Sequence, residues 1–92
     1  MSRGLIVQPD EVRTFVRELR NYTNKLEADT SRILERLSTL GETWRDRKYD
    51  KFREDMKDVA KEVKKARTAG EIYAKHLSKF ADDADVALGR KI

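Results

Sequence analysis

The sequence predicts an all-α fold, a pair of long antiparallel helices joined by one tight turn. Apolar residues recur with the spacing of a helix face along most of the chain. Charged residues make up 41% of the 92 residues, a composition typical of helices with a single apolar side. One Pro and four Gly are too few for a β-rich fold, which needs many turns. A chain of this length is expected to form a single domain, residues 1–92.

The first helix is predicted over about residues 9–40. Pro9 suits the first helical turn, where its missing N–H costs nothing, and the carboxylates of Asp10 and Glu11 favour the positive end of the helix dipole. The apolar residues form one row with heptad spacing and a second, interrupted row. The first row is Val12, Leu19, Leu26, Ile33 and Leu40, and the second is Phe15, Val16, Tyr22, Leu37 and Trp44.

The second helix is predicted over about residues 46–87. It carries two complete heptad rows that interleave, and both are expected in the contact with the first helix. One row is Tyr49, Met56, Val63, Gly70, Leu77 and Ala84, and the other is Phe52, Val59, Ala66, Tyr73, Phe80 and Ala87.

The connection lies in the stretch LGETWRDRKYDKF, residues 40–52. Gly41 is expected to end the first helix in the left-handed conformation. Thr43 is a candidate N-cap with Asp46 as its capping-box partner, and the alternative is that Asp46 itself caps the second helix. Trp44 is expected to cover the end of the hairpin, either as a hydrophobic plug or as a recognition element for a partner.

Such a short connection forces the helices antiparallel. Folding about residue 44 predicts that Gly70 faces Leu19 and that Phe80 packs on the N-terminal Leu5 and Ile6. One seam between two helices buries little apolar area against the entropy of ordering the chain. The hairpin is therefore expected to pair with a second hairpin in a four-helix bundle, through side chains that lie beside the seam: Phe15, Val16, Leu34, Ile72 and Tyr73.

IVQPDEVR leads into the first predicted helix, and LGETW leads into the turn. In both stretches the chain resembles the WXG100, or ESAT-6-like, family of type VII secretion proteins. Trp44 matches the family's Trp, and Phe52 matches the aromatic residue that commonly follows the motif. The resemblance implies two antiparallel helices, a dimer with itself or a related small helical protein, and a secretion ATPase or a larger effector as further partners.

The sequence departs from the family pattern at two places. Asp46 replaces the Gly of the W-x-G motif. The family's export signal, Tyr-x-x-x-Asp/Glu, is absent as written, because Tyr73 is followed four places on by Leu77. The resemblance then implies that this chain is the member of a secreted pair that lacks the export signal. We expect synthesis in the cytoplasm without a signal peptide, since the apolar run of Leu5, Ile6 and Val7 is too short for one. The resemblance implies export through a type VII system.

Several function classes are not expected. The chain has no Cys and a single His, His76, so neither a metal site nor thiol chemistry is predicted. We find no pairing of nucleophile, acid and base, and therefore predict no enzymatic activity and no cofactor. No apolar run approaches the length of a membrane span.

Two other functions remain open. The net charge is +4, from 21 basic and 17 acidic residues, and binding to nucleic acid or another polyanion is the first alternative. Much of the charge in the second helix alternates at i,i+3 and suits a solvated face, whereas Lys64, Arg67, Lys75 and Lys79 have no matching acidic row. The second alternative is an adaptor or chaperone for a larger effector.

Overall fold

The computed structural model describes residues 8–89 and contains two helices there, α1 (Pro9–Leu40) and α2 (Arg47–Ala87). Both helices have the predicted limits to within one residue, and they pack side by side in an elongated hairpin of 64 × 26 × 16 Å. The predicted all-α hairpin is confirmed. The expected contact of Phe80 with Leu5 and Ile6 involves residues outside the described part of the chain.

The helix ends follow from local chemistry. Pro9 occupies the first turn of α1 after the extended residue Gln8, and Asp10 follows it near the positive end of the dipole. At the far end of α2, Gly89 has φ +71° and donates its N–H to the carbonyl of Val86 at 3.0 Å. Its missing Cβ makes this left-handed cap favourable.

The seam between the helices is lined by small and β-branched residues. Val16 of α1 is 3% exposed and Ala74 and Ala81 of α2 are fully buried. Gly70 is also buried, and a Cβ at this position would lie 2.9 Å from Cγ2 of Thr23. These small side chains let the two helices approach closely at this level of the seam.

The register differs from the prediction by about one helical turn. Gly70 packs against Thr23 and not against Leu19. Farther along, Leu34 and Ala60 border the same depression between the helices. Near the turn the predicted register holds more closely, because Tyr49 lies against Gly41.

The first apolar row of α1 does not stay in the seam along its whole length. Leu19 and Leu26 are half-buried, but Ile33 and Leu40 are 48% and 47% exposed. A strict heptad row drifts by about 20° per heptad on a straight α-helix. This drift carries the row out of the seam toward the turn, where Leu37, 6% exposed, replaces it.

In α2 the prediction that both heptad rows contact α1 is wrong for the second row, except at Tyr73, which was expected beside the seam. The row that begins with Tyr49 is buried or half-buried, whereas all members of the row that begins with Phe52 are exposed. A single neighbouring helix covers a narrow arc of α2. That arc is completed on its other side by Ala74, Ala81 and Asp85.

One face of the hairpin is held by ion pairs between the helices, and we call it the clasped face. Arg13 contacts Asp82 at 2.7 Å and Asp85 at 2.6 Å. The other two cross-helix pairs lie along the same side and join Arg20 to Glu71 at 3.0 Å and Arg67 to Glu27 at 3.0 Å.

The opposite face of the hairpin is apolar. Helical geometry places the drifting row of α1 and the exposed row of α2 on the same side, away from the clasped face. We call this surface the apolar face and define it by its exposed large side chains, Phe15, Tyr22, Ile33, Leu40, Phe52, Val59, Tyr73 and Phe80.

Candidate functional site

At the tip of the hairpin, Asp46 is the N-cap of α2. Its carboxylate accepts a hydrogen bond from the backbone N–H of Tyr49 at 3.0 Å. This bond, together with a hydrogen bond from the Trp44 side chain, holds the pKa of Asp46 below its ordinary value. The alternative cap, Thr43, instead donates its hydroxyl to the carbonyl of Leu40 at 3.4 Å.

Tyr49 lies at the centre of the tip. Its hydroxyl donates to the backbone carbonyl of Leu37 at 2.9 Å, and this carbonyl in the last turn of α1 also accepts the backbone N–H of Gly41 at 3.1 Å. The ring of Trp44 meets the Tyr49 ring edge-on with centroids 5.4 Å apart. Tyr49 thus ties the end of α1 to the start of α2.

Gly41 has a different role from the predicted one. Its φ is −66°, in the right-handed region, so the expected left-handed cap is wrong. A Cβ on Gly41 would lie 2.6 Å from Cζ of Tyr49. Glycine is required here because the phenol ring occupies the space that any larger side chain would need.

The four residues predicted as a turn motif are not all neighbours. Gly41, Trp44 and Asp46 contact or surround Tyr49 at the tip. Phe52 lies apart from them on the apolar face, next to Lys48. We call the group formed by Leu37, Gly41, Trp44, Asp46 and Tyr49 the tip cluster.

The apolar face is the second candidate site. Its eight large side chains are each between 46% and 63% exposed. If a whole aromatic side chain presents about 200 Å², the five aromatic residues leave about 550 Å² uncovered, and the three aliphatic ones bring the face to roughly 800 Å². This exceeds the 300–600 Å² of the largest apolar patch on a typical monomer.

The predicted pairing residues divide among several surfaces. Phe15 and Tyr73 lie on the apolar face. Val16 was expected beside the seam but is buried within it, where a partner cannot reach it. Leu34 is half-buried at a depression of the seam, and Ile72 lies on the outer side of α2 among lysines.

Two of the four basic residues that have no matching acidic row nevertheless have individual acidic partners. Arg67 pairs with Glu27 on α1, and Lys79 pairs with Asp83 at 3.2 Å. Lys64 and Lys75 make no ion pair within residues 8–89.

Two structural roles were missed from the sequence. Tyr49 was assigned to a heptad row, although its position three residues after a capping Asp indicated that it starts α2 beside the turn. The pair of Arg13 and Asp85 joins residues 72 positions apart, so no local spacing could indicate it. Asp85 is buried at the open end of the seam.

The described part of the chain offers few other sites. Within residues 8–89 no group of three His, Cys, Asp or Glu side chains is arranged to hold a metal ion. Neither helix has a segment that is long and apolar enough to cross a membrane.

Comparison with known proteins adds no relative. No protein-family model, no curated protein and no solved structure matches this chain. The likeness to the WXG100 family therefore remains an expectation based on the sequence motifs.

Proposed function

We propose that this protein acts by binding other proteins, and that its apolar face pairs with a second helical hairpin, another copy or a related small chain, in a four-helix bundle. The observation that carries the proposal is the extent of the apolar face, which runs along both helices from Phe15 to Leu40 and from Phe52 to Phe80.

The area of the face suits a stable complex. About 800 Å² per partner is the size of a standard protein–protein interface, and the face exposes roughly that area in eight side chains. Five of the eight are Phe or Tyr, and buried aromatic side chains supply much of the binding energy in interfaces.

The shape of the face favours a partner that is itself a long hairpin. The hairpin is 64 Å long and 16 Å in its thinnest direction, so it forms a single layer of two helices. Domains usually bury each apolar surface against a second layer. A second hairpin of similar length covers the whole face, whereas a compact globular partner would leave part of it exposed.

For the cellular role, we propose a place in a type VII secretion pathway, as the signal-less member of a pair. The support is the resemblance to WXG100 proteins together with the tip cluster, in which Trp44 and Asp46 flank the turn. Replacement of the motif's Gly by Asp46 is compatible with the hairpin because the carboxylate caps α2.

A pair of matched variants tests the binding proposal. Phe80 on the apolar face is 49% exposed and Ile72 on the outer side of α2 is 50% exposed. We expect Phe80→Glu to shift the wild-type dimer to monomers, because the charge would be buried in the interface. Ile72→Glu should leave the dimer intact.

Size-exclusion chromatography with light scattering measures the mass of each variant, and circular dichroism reports whether the helices persist. A wild-type monomer with full helicity would contradict the proposal, as would a Phe80→Glu variant that dimerises as well as the wild type. Loss of the dimer in both variants would show that the apolar face is not the specific site.

A further inference from the structure

We propose that the outer side of α2 between Lys61 and Lys79 is a second docking surface, which binds an acidic helical segment of another protein. It lies on the side of α2 away from α1, and it borders the apolar face at Ala69, one helical turn before Tyr73. We call it the lysine surface and define it by Lys61, Lys64, Lys65, Thr68, Ala69, Ile72, Lys75 and Lys79.

Positive charge predominates on the lysine surface, although two of its five lysines, Lys65 and Lys79, each have an exposed acidic partner. Its five lysines extend over about 27 Å of helix, at about 1.5 Å per residue. The one acidic residue between positions 63 and 78 is Glu71, and its carboxylate is turned to α1, where Arg20 binds it through two hydrogen bonds of 3.0 Å. That contact lowers the pKa of Glu71, and the nearby charges of Lys75 and Arg67 act in the same direction with smaller effect.

The ion pairs of these lysines are few. Among residues 8–89, Lys61, Lys64 and Lys75 have no carboxylate within ion-pair distance. Lys65 reaches Glu62 at 3.4 Å and Lys79 reaches Asp83 at 3.2 Å, both in the exposed setting where pairs contribute little. The rest of α2 differs, because acids and bases alternate there up to Glu62.

An exposed apolar centre lies among the lysines. Ile72 is 50% exposed and shares a shallow depression with Ala69, Thr68 and the side chains of Lys61, Lys64 and Lys65. An apolar centre inside a polar rim is the usual anatomy of a protein-binding site, and the residues at such a centre carry most of the binding energy.

The chemistry favours an acidic protein helix over a nucleic acid. The lysines recur at helical spacing, so carboxylates at the same spacing on a second helix can pair with them along its length. An apolar residue in the middle of that helix would cover Ile72. A phosphate backbone would use the lysines but would bring no apolar group to Ile72 and Ala69.

The test uses a short synthetic helical peptide with glutamates along one side and a central leucine, measured by fluorescence titration against the full chain. We expect saturable binding that weakens with added salt. Ile72→Ala should weaken binding by about fivefold or more, as expected for a central residue that contributes more than about 1 kcal/mol. Substituting glutamine for the peptide's leucine should have a similar effect.

Two control variants separate this surface from general charge effects. Lys61→Gln/Lys64→Gln should weaken peptide binding. Lys51→Gln/Lys57→Gln removes the same charge but should not weaken it, because Lys51 and Lys57 lie outside the lysine surface and do not border Ile72. Val86→Ala tests an equally apolar exposed residue outside the surface and should leave the affinity unchanged.

Three results would overturn the proposal: no binding of the peptide at low salt, equal loss of affinity in both lysine pairs, or an affinity that Ile72→Ala leaves unchanged. Tighter binding of heparin or duplex DNA than of the peptide, unaffected by Ile72→Ala, would identify a polyanion surface and would also overturn it. None of these results depends on whether the chain dimerises, so the two proposals fail separately.

Discussion

Substitution of Gly41 by Ala tests whether the tip cluster is as tightly packed as the structure indicates. Gly41 is right-handed, with φ −66°, so Ala can adopt its backbone conformation. On that ground alone, Ala would stabilise the fold by about 0.4–1 kcal/mol, because it reduces the freedom of the unfolded chain. The close contact with Tyr49 instead predicts that Ala destabilises the fold.

The new Cβ would lie 2.6 Å from Cζ and 3.0 Å from Cε2 of Tyr49. The ring is held on one side by the edge-on contact with Trp44 and at its hydroxyl by the hydrogen bond to Leu37. Overpacking of this kind costs about 1–3 kcal/mol, and displacement of the ring adds the loss of a buried hydrogen bond, about 0.5–1.5 kcal/mol. We expect a net destabilisation of about 1–3 kcal/mol.

Thermal unfolding followed by circular dichroism measures this change, at equal protein concentration for all variants because pairing would make the midpoint concentration-dependent. A loss of about 1–3 kcal/mol lowers the midpoint by about 5–20 °C in a domain of this size. In a Tyr49→Leu background, which removes the ring, Gly41→Ala should become neutral or stabilising. A higher midpoint for Gly41→Ala in the wild-type background would refute the close contact.

Three further predictions concern the seam and the cap. Gly70→Ala should stabilise the fold by less than the usual helix-propensity gain of about 1 kcal/mol, because the Cβ would lie 2.9 Å from Cγ2 of Thr23. Thr23→Ser removes that methyl group, so adding it should restore the gain in stability measured by urea titration. Asp46 has a lowered pKa in the folded chain, so its stabilising effect is present above its ordinary pKa of 3.8 and is lost as the pH falls through its folded-state pKa. Asp46→Asn should keep a cap on α2 but remove this part of the pH dependence of the urea midpoint. Val16→Ala should cost about 1–3 kcal/mol of folding stability, whereas Phe15→Ala should mainly raise the dissociation constant of the dimer. If both variants lowered the folding stability equally, the assignment of Val16 to the seam and of Phe15 to the apolar face would be wrong.

The existence and limits of the two helices could be predicted from the sequence because their signals are local. Pro9 and the acids after it mark a helix start, and the heptad rows extend far enough to define both helices. The capping role of Asp46 was one of two stated alternatives. Its side chain accepts the backbone N–H three residues on, which is also a local interaction.

The predictions that were wrong, for the exposure of the apolar rows and for the role of Gly41, depend on tertiary geometry. A sequence pattern shows that Ile33 and Phe52 belong to apolar rows, but not which arc of each helix the other helix covers. Ile33 lies outside the covered arc of α1 because a heptad row drifts slowly around a straight helix. Gly41 is similar, since its role comes from the Tyr49 ring, and the ring reaches it only in the folded hairpin.

The central claim is that the apolar face is covered by a second hairpin, and sedimentation equilibrium of the wild-type chain at micromolar concentration tests it most directly. The chain has a mass of 10.8 kDa. We predict a helical species of twice that mass, which dissociates and loses helicity together on dilution. A fully helical species with the mass of a single chain, unchanged by dilution, would contradict the claim.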